Sequence, residues 1–363
     1  MFARLILILG LGMAPVMAQR PPGDAIPAKH ARAEITRLLE KAKAGNAAAQ
    51  FTLGQAYADG NGVPQNFDLA LKWYHQAADQ GYADAENAIG IMYRTGSGVD
   101  ESKEEALSWY RQAARQGSGP AMFNLGTAYY NGDGVGISDA TAYAWFMLAK
   151  EAGVNSAAQA VARMEGEMRP GRINDGLKTI AEMYDRGEGV KQDDAAAARW
   201  YRQAAARGDQ QAQVKLAAAL MAGRGVSRDY GEARKWCEAA TRQKSIAGEV
   251  CLGSLYRGGL GVDKNPTEAV KHLQVAALGN SGLAMRLLGE IYESGEAGRA
   301  DRAESLVWYL RAAMVGDKQA LEAAMKIKHS MAPEDWIQAK KKMRDLGFDP
   351  QKVEAFLQPS AGG

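Results

Sequence analysis

Six of the seven tryptophans stand in one register, at Trp73, Trp109, Trp145, Trp200, Trp236 and Trp308, separated by 36 residues or a multiple of 36 except for one step of 55. A repeat of that length is a helical unit too small to bury its own apolar face, so the core arises only when units stack. The spacing predicts an all-α solenoid.

Other columns keep the same step. A Gly-x-Gly-Val loop begins at Gly60, Gly96, Gly132, Gly187, Gly223 and Gly259. Three residues before the first glycine stands Tyr57, Tyr93, Tyr129, Tyr184 or Tyr256, with Leu220 in one unit; Tyr292 precedes Gly295 in the seventh, which lacks the full loop. Seven residues before each position of the tryptophan register comes Asn66, Ser102, Ser138, Asp193, Asp229, Asn265 or Asp301. All are residues whose side-chain oxygen accepts a free N–H at a helix start. Glu105, Glu232, Glu268 and Glu304 follow three residues later and predict capping boxes. Each unit therefore reads as helix A, glycine loop, helix B. The tyrosine and tryptophan columns are the expected core; burying one such ring removes roughly 150–250 Å² from water, worth about 4–6 kcal/mol at most.

On Ala49, Leu53, Gly54, Tyr57, Gly60, Gly62, Val63, Ala70, Trp73, Tyr74, Ala77, Ala78 and Gly81, and on their counterparts one unit later, the chain resembles the Sel-1-like repeat, a relative of the tetratricopeptide repeat. The resemblance covers about residues 46–316 and implies a right-handed α-solenoid of helix-turn-helix repeats. It departs at Ala181 and Ala217, where the family has Gly, and at His272, where it has Trp.

Around the array, residues 1–18 read as a secretory signal: Arg4, an apolar run from Leu5 to Val16, and a cleavage point near Ala18. Residues 19–29 are a proline-containing linker, 30–45 an N-terminal cap helix, 46–153 repeats one to three and 174–316 repeats four to seven. Residues 317–358 form C-terminal cap helices and 359–363 a tail. The 19 residues that stretch one tryptophan step predict an extra helix within 154–173, breaking the superhelix as a hinge or a kink. Met168-Arg169-Pro170 and Met331-Ala332-Pro333 mark similar segments at the two places. No apolar stretch after the signal could span a bilayer.

The formal net charge of +2, with both signs interspersed, gives no electrostatic footprint for nucleic acid. His30, His75, His272 and His329 lie in unrelated units, without the one-turn spacing a metal pair needs, and no nucleophile motif occurs. No cofactor and no catalytic residue is expected. Cys237 and Cys251, the only cysteines, stand symmetrically about Lys244 in an expected turn. A disulfide is compatible with that placement and with export, while two buried thiols is the competing reading.

Unit three is rich in aromatic residues. Position 130 is Ala58, Arg94, Asp185, Met221, Arg257 or Glu293 elsewhere, which points to exposure and makes Tyr130, with Phe123 and Tyr143, the candidate interaction surface. The competing reading is packing against the inserted helix. The expected function is a non-catalytic scaffold of the bacterial envelope, periplasmic or secreted, gripping a partner protein or peptide. Exported relatives of the resembled family imply that role. The alternative is binding of peptidoglycan or another polysaccharide, with weak β-lactam hydrolysis as its remotest form.

Overall fold

The computed structural model describes residues 28–345 and 349–351, with side chains from residue 33 onward. The signal segment with its cleavage point at Ala18, most of the linker, positions 352–358 and the tail lie outside the described residues. Among the described residues there are eighteen α-helices and no strand, and no helix is long and apolar enough to cross a membrane. Two compact units divide inside helix α10 (Asp194–Ala206): one runs up to Trp200, the other from Tyr201.

In the first unit α1 (Ala28–Lys43) packs on the hairpin α2 (Ala47–Asp59) and α3 (Phe67–Ala78). The hairpins α4 (Ala83–Thr95) with α5 (Lys103–Arg115), and α6 (Gly119–Asn131) with α7 (Asp139–Glu151), follow, each helix packed on the next. The inserted residues form α8 (Asn155–Glu167), which lies against α7, but α9 (Pro170–Arg186) packs on α7 as well. The expected interruption thus takes the form of a side helix beside a continuing stack. In the second unit come α11 (Gln210–Ala222) with α12 (Tyr230–Arg242), α13 (Ile246–Gly258) with α14 (Pro266–Leu278), and α15 (Gly282–Ser294) with α16 (Arg302–Met314). Here α17 (Lys318–His329) and α18 (Pro333–Asp345) both lie against α16. The two Met-x-Pro segments therefore build the same three-helix arrangement.

Every expected helix-B cap forms. Asn66, Ser102, Ser138, Asp229, Asn265 and Asp301 each accept the backbone N–H three residues on, and Asp193 accepts from Ala195 and Ala196. Capping boxes do not complete them. Each cap residue instead donates its own N–H to the carbonyl nine residues earlier, that of Tyr57, Tyr93, Tyr129, Tyr184, Leu220, Tyr256 or Tyr292. With that donor occupied, the glutamates turn elsewhere. Glu232 accepts the indole N–H of Trp236 at 3.0 Å, Glu304 that of Trp308 at 2.9 Å, and Glu268 the ammonium of Lys271 at 2.7 Å. The loop glycines carry the reversal between cap and carbonyl: Gly96 and Gly98 have φ of 65° and 74°, and a Cβ on Gly98 would lie 2.7 Å from Phe67.

The core sits one residue away from the expected column. Trp145, Trp200 and Trp308 are buried, but Trp73, Trp109 and Trp236 are only half-buried, as are Tyr57, Tyr93, Tyr129, Tyr184, Tyr256 and Tyr292. The residue after the tryptophan position is buried in all seven units: Tyr74, Tyr110, Phe146, Tyr201, Cys237, Leu273 and Tyr309. Its seat is the helix-A glycine. A Cβ on Gly54, Gly90 or Gly126 would lie 2.6 Å from Tyr74, Tyr110 or Phe146, and one on Gly253 or Gly289 2.7 Å from Leu273 or Tyr309. Burial pushes the Tyr110 phenol up to about 12.

For Trp145 and Trp308 the depth follows what comes next. In ordinary units the second loop glycine sits over the first turn of the preceding helix B, as Gly98 does on Phe67 and Gly134 on Lys103. Gly189 sits instead on Trp145, well along α7, and covers its indole. Trp308 shares a cluster with Trp336 and Met343 of α18.

The turn from helix B to the next helix A uses glycine at φ 76–97° in six places, Gly45, Gly81, Gly117, Gly153, Gly208 and Gly316, but Lys244 and Asn280 adopt φ 63° and 65° in the same column. A left-handed non-glycine residue costs roughly 1–2 kcal/mol, partly offset by the greater chain entropy of glycine when unfolded. Lys244→Gly is expected to stabilise the protein by about 0.5 kcal/mol, read as a higher urea midpoint at constant m value.

Candidate interaction surface

The three rings expected on the surface are interior. Phe123, Tyr130 and Tyr143 are 4%, 8% and 1% exposed. Phe123 lies against Phe146 with ring centroids 5.3 Å apart, and Tyr143 donates to Glu165 of α8 at 2.7 Å while its ring lies where Gly176 of α9 leaves room. Tyr130 is within electrostatic reach of Arg163, also on α8. The inserted helix and its successor cover Tyr143, Phe123 is taken up by Phe146 of its own hairpin, and position 130 is buried in this unit alone.

What the first unit does present is the side where helix-A tyrosines meet helix-B tryptophans. Half-buried Trp73 and Tyr57 pack on Leu53, and Tyr57 also joins the next cluster with half-buried Tyr93, Phe67 and Trp109. His75 meets the Trp109 ring edge-on at 5.4 Å. These are large amphipathic side chains held by a rigid core, with one edge left to solvent. Such groups bind proteins at little cost in side-chain entropy.

Buried Gln50, Glu86 and Gln213 each take a hydrogen bond from an exposed glutamine. Gln80 donates to Gln50 at 2.6 Å, Gln116 to Glu86 at 2.7 Å and Gln243 to Gln213 at 2.9 Å, always across 30 residues. Burial pushes the Glu86 carboxyl up, against the hydrogen bond from Gln116 that holds it down. These ties between the two helices of one unit escaped the reading of the sequence, although Gln80 and Gln116 repeat at the 36-residue step. In the second unit Arg257 bridges Glu290 at 2.6 Å and Glu296 at 2.8 Å, and both carboxylates, Glu296 most of all, hold its guanidinium above its ordinary value. His272, in the tryptophan register, stacks on Tyr256 with centroids 5.5 Å apart and lies 2.7 Å from Glu249. Among the described residues no group of His, Cys, Asp or Glu could hold a metal ion. Cys237, in the unit where Ala217 replaces the helix-A glycine, is joined to Cys251 by a disulfide with Cα atoms 6.0 Å apart.

A model of the Sel1 repeat matches residues 47–82, 83–118, 119–154, 180–209, 210–245, 252–281 and 282–317. Among solved structures, a protective antigen present in uropathogenic Escherichia coli strains, described as displaying an SLR fold, is 29% identical. The match covers 85% of this chain and 70% of that one, with a TM-score of 0.44. A Sel1 repeat protein from Oxalobacter formigenes is 31% identical over 69% of this chain and 92% of its own, with a TM-score of 0.33. No curated protein matches the chain.

Proposed function

The chain belongs to the Sel1 repeat family, whose repeats generally mediate protein–protein contact, and from that premise we propose that it is a non-catalytic scaffold of the bacterial envelope. The observation that supports this reading is the row of half-buried Trp73, Tyr57, Trp109 and Tyr93 on a rigid stack. The partner is a protein or peptide that lays apolar side chains across those ring edges. The apolar run and Ala18 in the leading segment support export, and with it a periplasmic or secreted location.

A photoreactive benzophenone side chain placed at Lys72 or Gln112, exposed positions of helix B beside the two indoles, tests this in living cells. Discrete protein adducts are expected from both sites and none from the same group at Gln159, an exposed position of α8. Equal adducts from Gln159, or none from any site, would overturn the assignment of this side. Sedimentation of the protein with purified peptidoglycan, without protein adducts, would favour a wall polymer as the ligand.

A further inference from the structure

Helices α17 and α18 carry a concentration of basic side chains. Between residues 318 and 345 lie seven basic and four acidic side chains, in a chain whose whole net charge is +2. Lys342 is engaged inward with Asp301 and Glu304; burial works against its charge, but these two carboxylates outweigh it and hold the ammonium above its usual value. Of the other bases, Lys318, Lys326, Lys341 and Arg344 are exposed, and Lys328 and Lys340 are half-buried.

Apolar groups stand among them. Ile337 is 66% exposed and Met325 48% exposed. Trp336 is half-buried, anchored beside the cluster that holds Ala339 and Met343, and its ring has the ammonium groups of Lys328 and Lys340 each 5.2 Å from its centre. Lys328 lies one turn from Met325, and Lys340 and Lys341 one turn from Ile337, so the apolar and basic groups share one face. Of the four acids, Glu334 and Asp335 stand in the first turn of α18, Asp345 at its end and Glu322 one turn before Met325, so the six bases other than Lys342 still leave the pair with a positive excess.

We propose that this helix pair docks the protein on an anionic phospholipid bilayer, lying flat on the headgroups with Ile337 and Met325 inserted and the lysines on lipid phosphates. Charge complementarity selects the anionic surface, and the apolar groups select a bilayer over a hydrated polyanion, which lysines alone would bind. A tryptophan flanked by lysines is suited to the level of the headgroups. The inference stands whether or not the aromatic side of the first unit takes a protein partner.

Co-sedimentation of the purified protein with vesicles tests it. Binding is expected to mixed phosphatidylcholine and phosphatidylglycerol vesicles, weakened by salt, and not to phosphatidylcholine alone. Lys340→Glu with Lys341→Glu should lower the partition coefficient on the order of tenfold or more, and Ile337→Ser several-fold, with thermal unfolding of both variants unchanged. No binding to the anionic vesicles, or equal binding to both kinds, would overturn the proposal. So would a lysine variant that sediments like the parent protein. If only Ile337→Ser does so, the inserted contact is refuted and charge alone carries the binding.

Discussion

Replacing Tyr110 by Ala is expected to cost about 3–5 kcal/mol of stability, while Trp109→Ala, one residue earlier, should cost less than half as much. The asymmetry comes from depth. Tyr110 is 1% exposed and fills the space that Gly90 leaves, whereas Trp109 keeps an edge in solvent. The same seat works in reverse: a Cβ on Gly90 would lie 2.6 Å from the Tyr110 ring, so Gly90→Ala overpacks the site by about 1–3 kcal/mol. Urea unfolding of the three variants measures the difference. A Trp109→Ala loss as large as that of Tyr110→Ala would place the indole at the centre of the unit after all.

Removing the Cys237–Cys251 bridge is the second large effect. The disulfide closes a loop of 14 residues' separation around the Lys244 turn, and a loop of that size gives about 3 kcal/mol by restricting the unfolded chain. The double replacement Cys237→Ala with Cys251→Ala should lower stability by that order, and dithiothreitol should destabilise the parent protein but not the double variant. The packing loss is a separate part of the cost, since Cys237 is fully buried where five other units place an aromatic ring. Cys237→Ser with Cys251 retained separates the two, because it breaks the bond with almost no change of volume.

Most of the architecture was legible because the residues that punctuate it act locally. Asn66, Ser102 and their counterparts cap helices through their own side chains, and Gly60 or Gly96 reverses the chain through its own backbone, so a single sequence displays their work. Depth is a different kind of property. A column at a 36-residue step shows that a position matters in every unit, but two adjacent helical residues point about 100° apart, and the period cannot say which one faces inward. The pairing of Gly54, Gly90 and Gly126 with Tyr74, Tyr110 and Phe146 was the available clue, since a missing Cβ opposite a ring marks close approach. Tyr130 failed for a further reason. Comparing columns assumes that every unit has the same neighbours, and α8 lies against the third unit where most units have no side helix. The capping boxes failed because the amide that Glu105, Glu232, Glu268 and Glu304 would have satisfied was already bonded across the loop. The aromatic ladder of the first unit was visible as residues and misjudged as interior.

The bond from each cap amide to the carbonyl nine residues before it has a bearing on how such a chain can vary. The spacing holds in all seven units, including the last, where Gly295 is followed by a sequence that has lost the second glycine and the valine. An added or deleted residue inside that segment would break the bond and the helix start together, whereas the 19 additional residues of this chain entered at the junction between one hairpin and its successor. Growth of the array is therefore channelled to the seams, where a whole helix can be accommodated at the flank, while the crook of each hairpin is held to a fixed length.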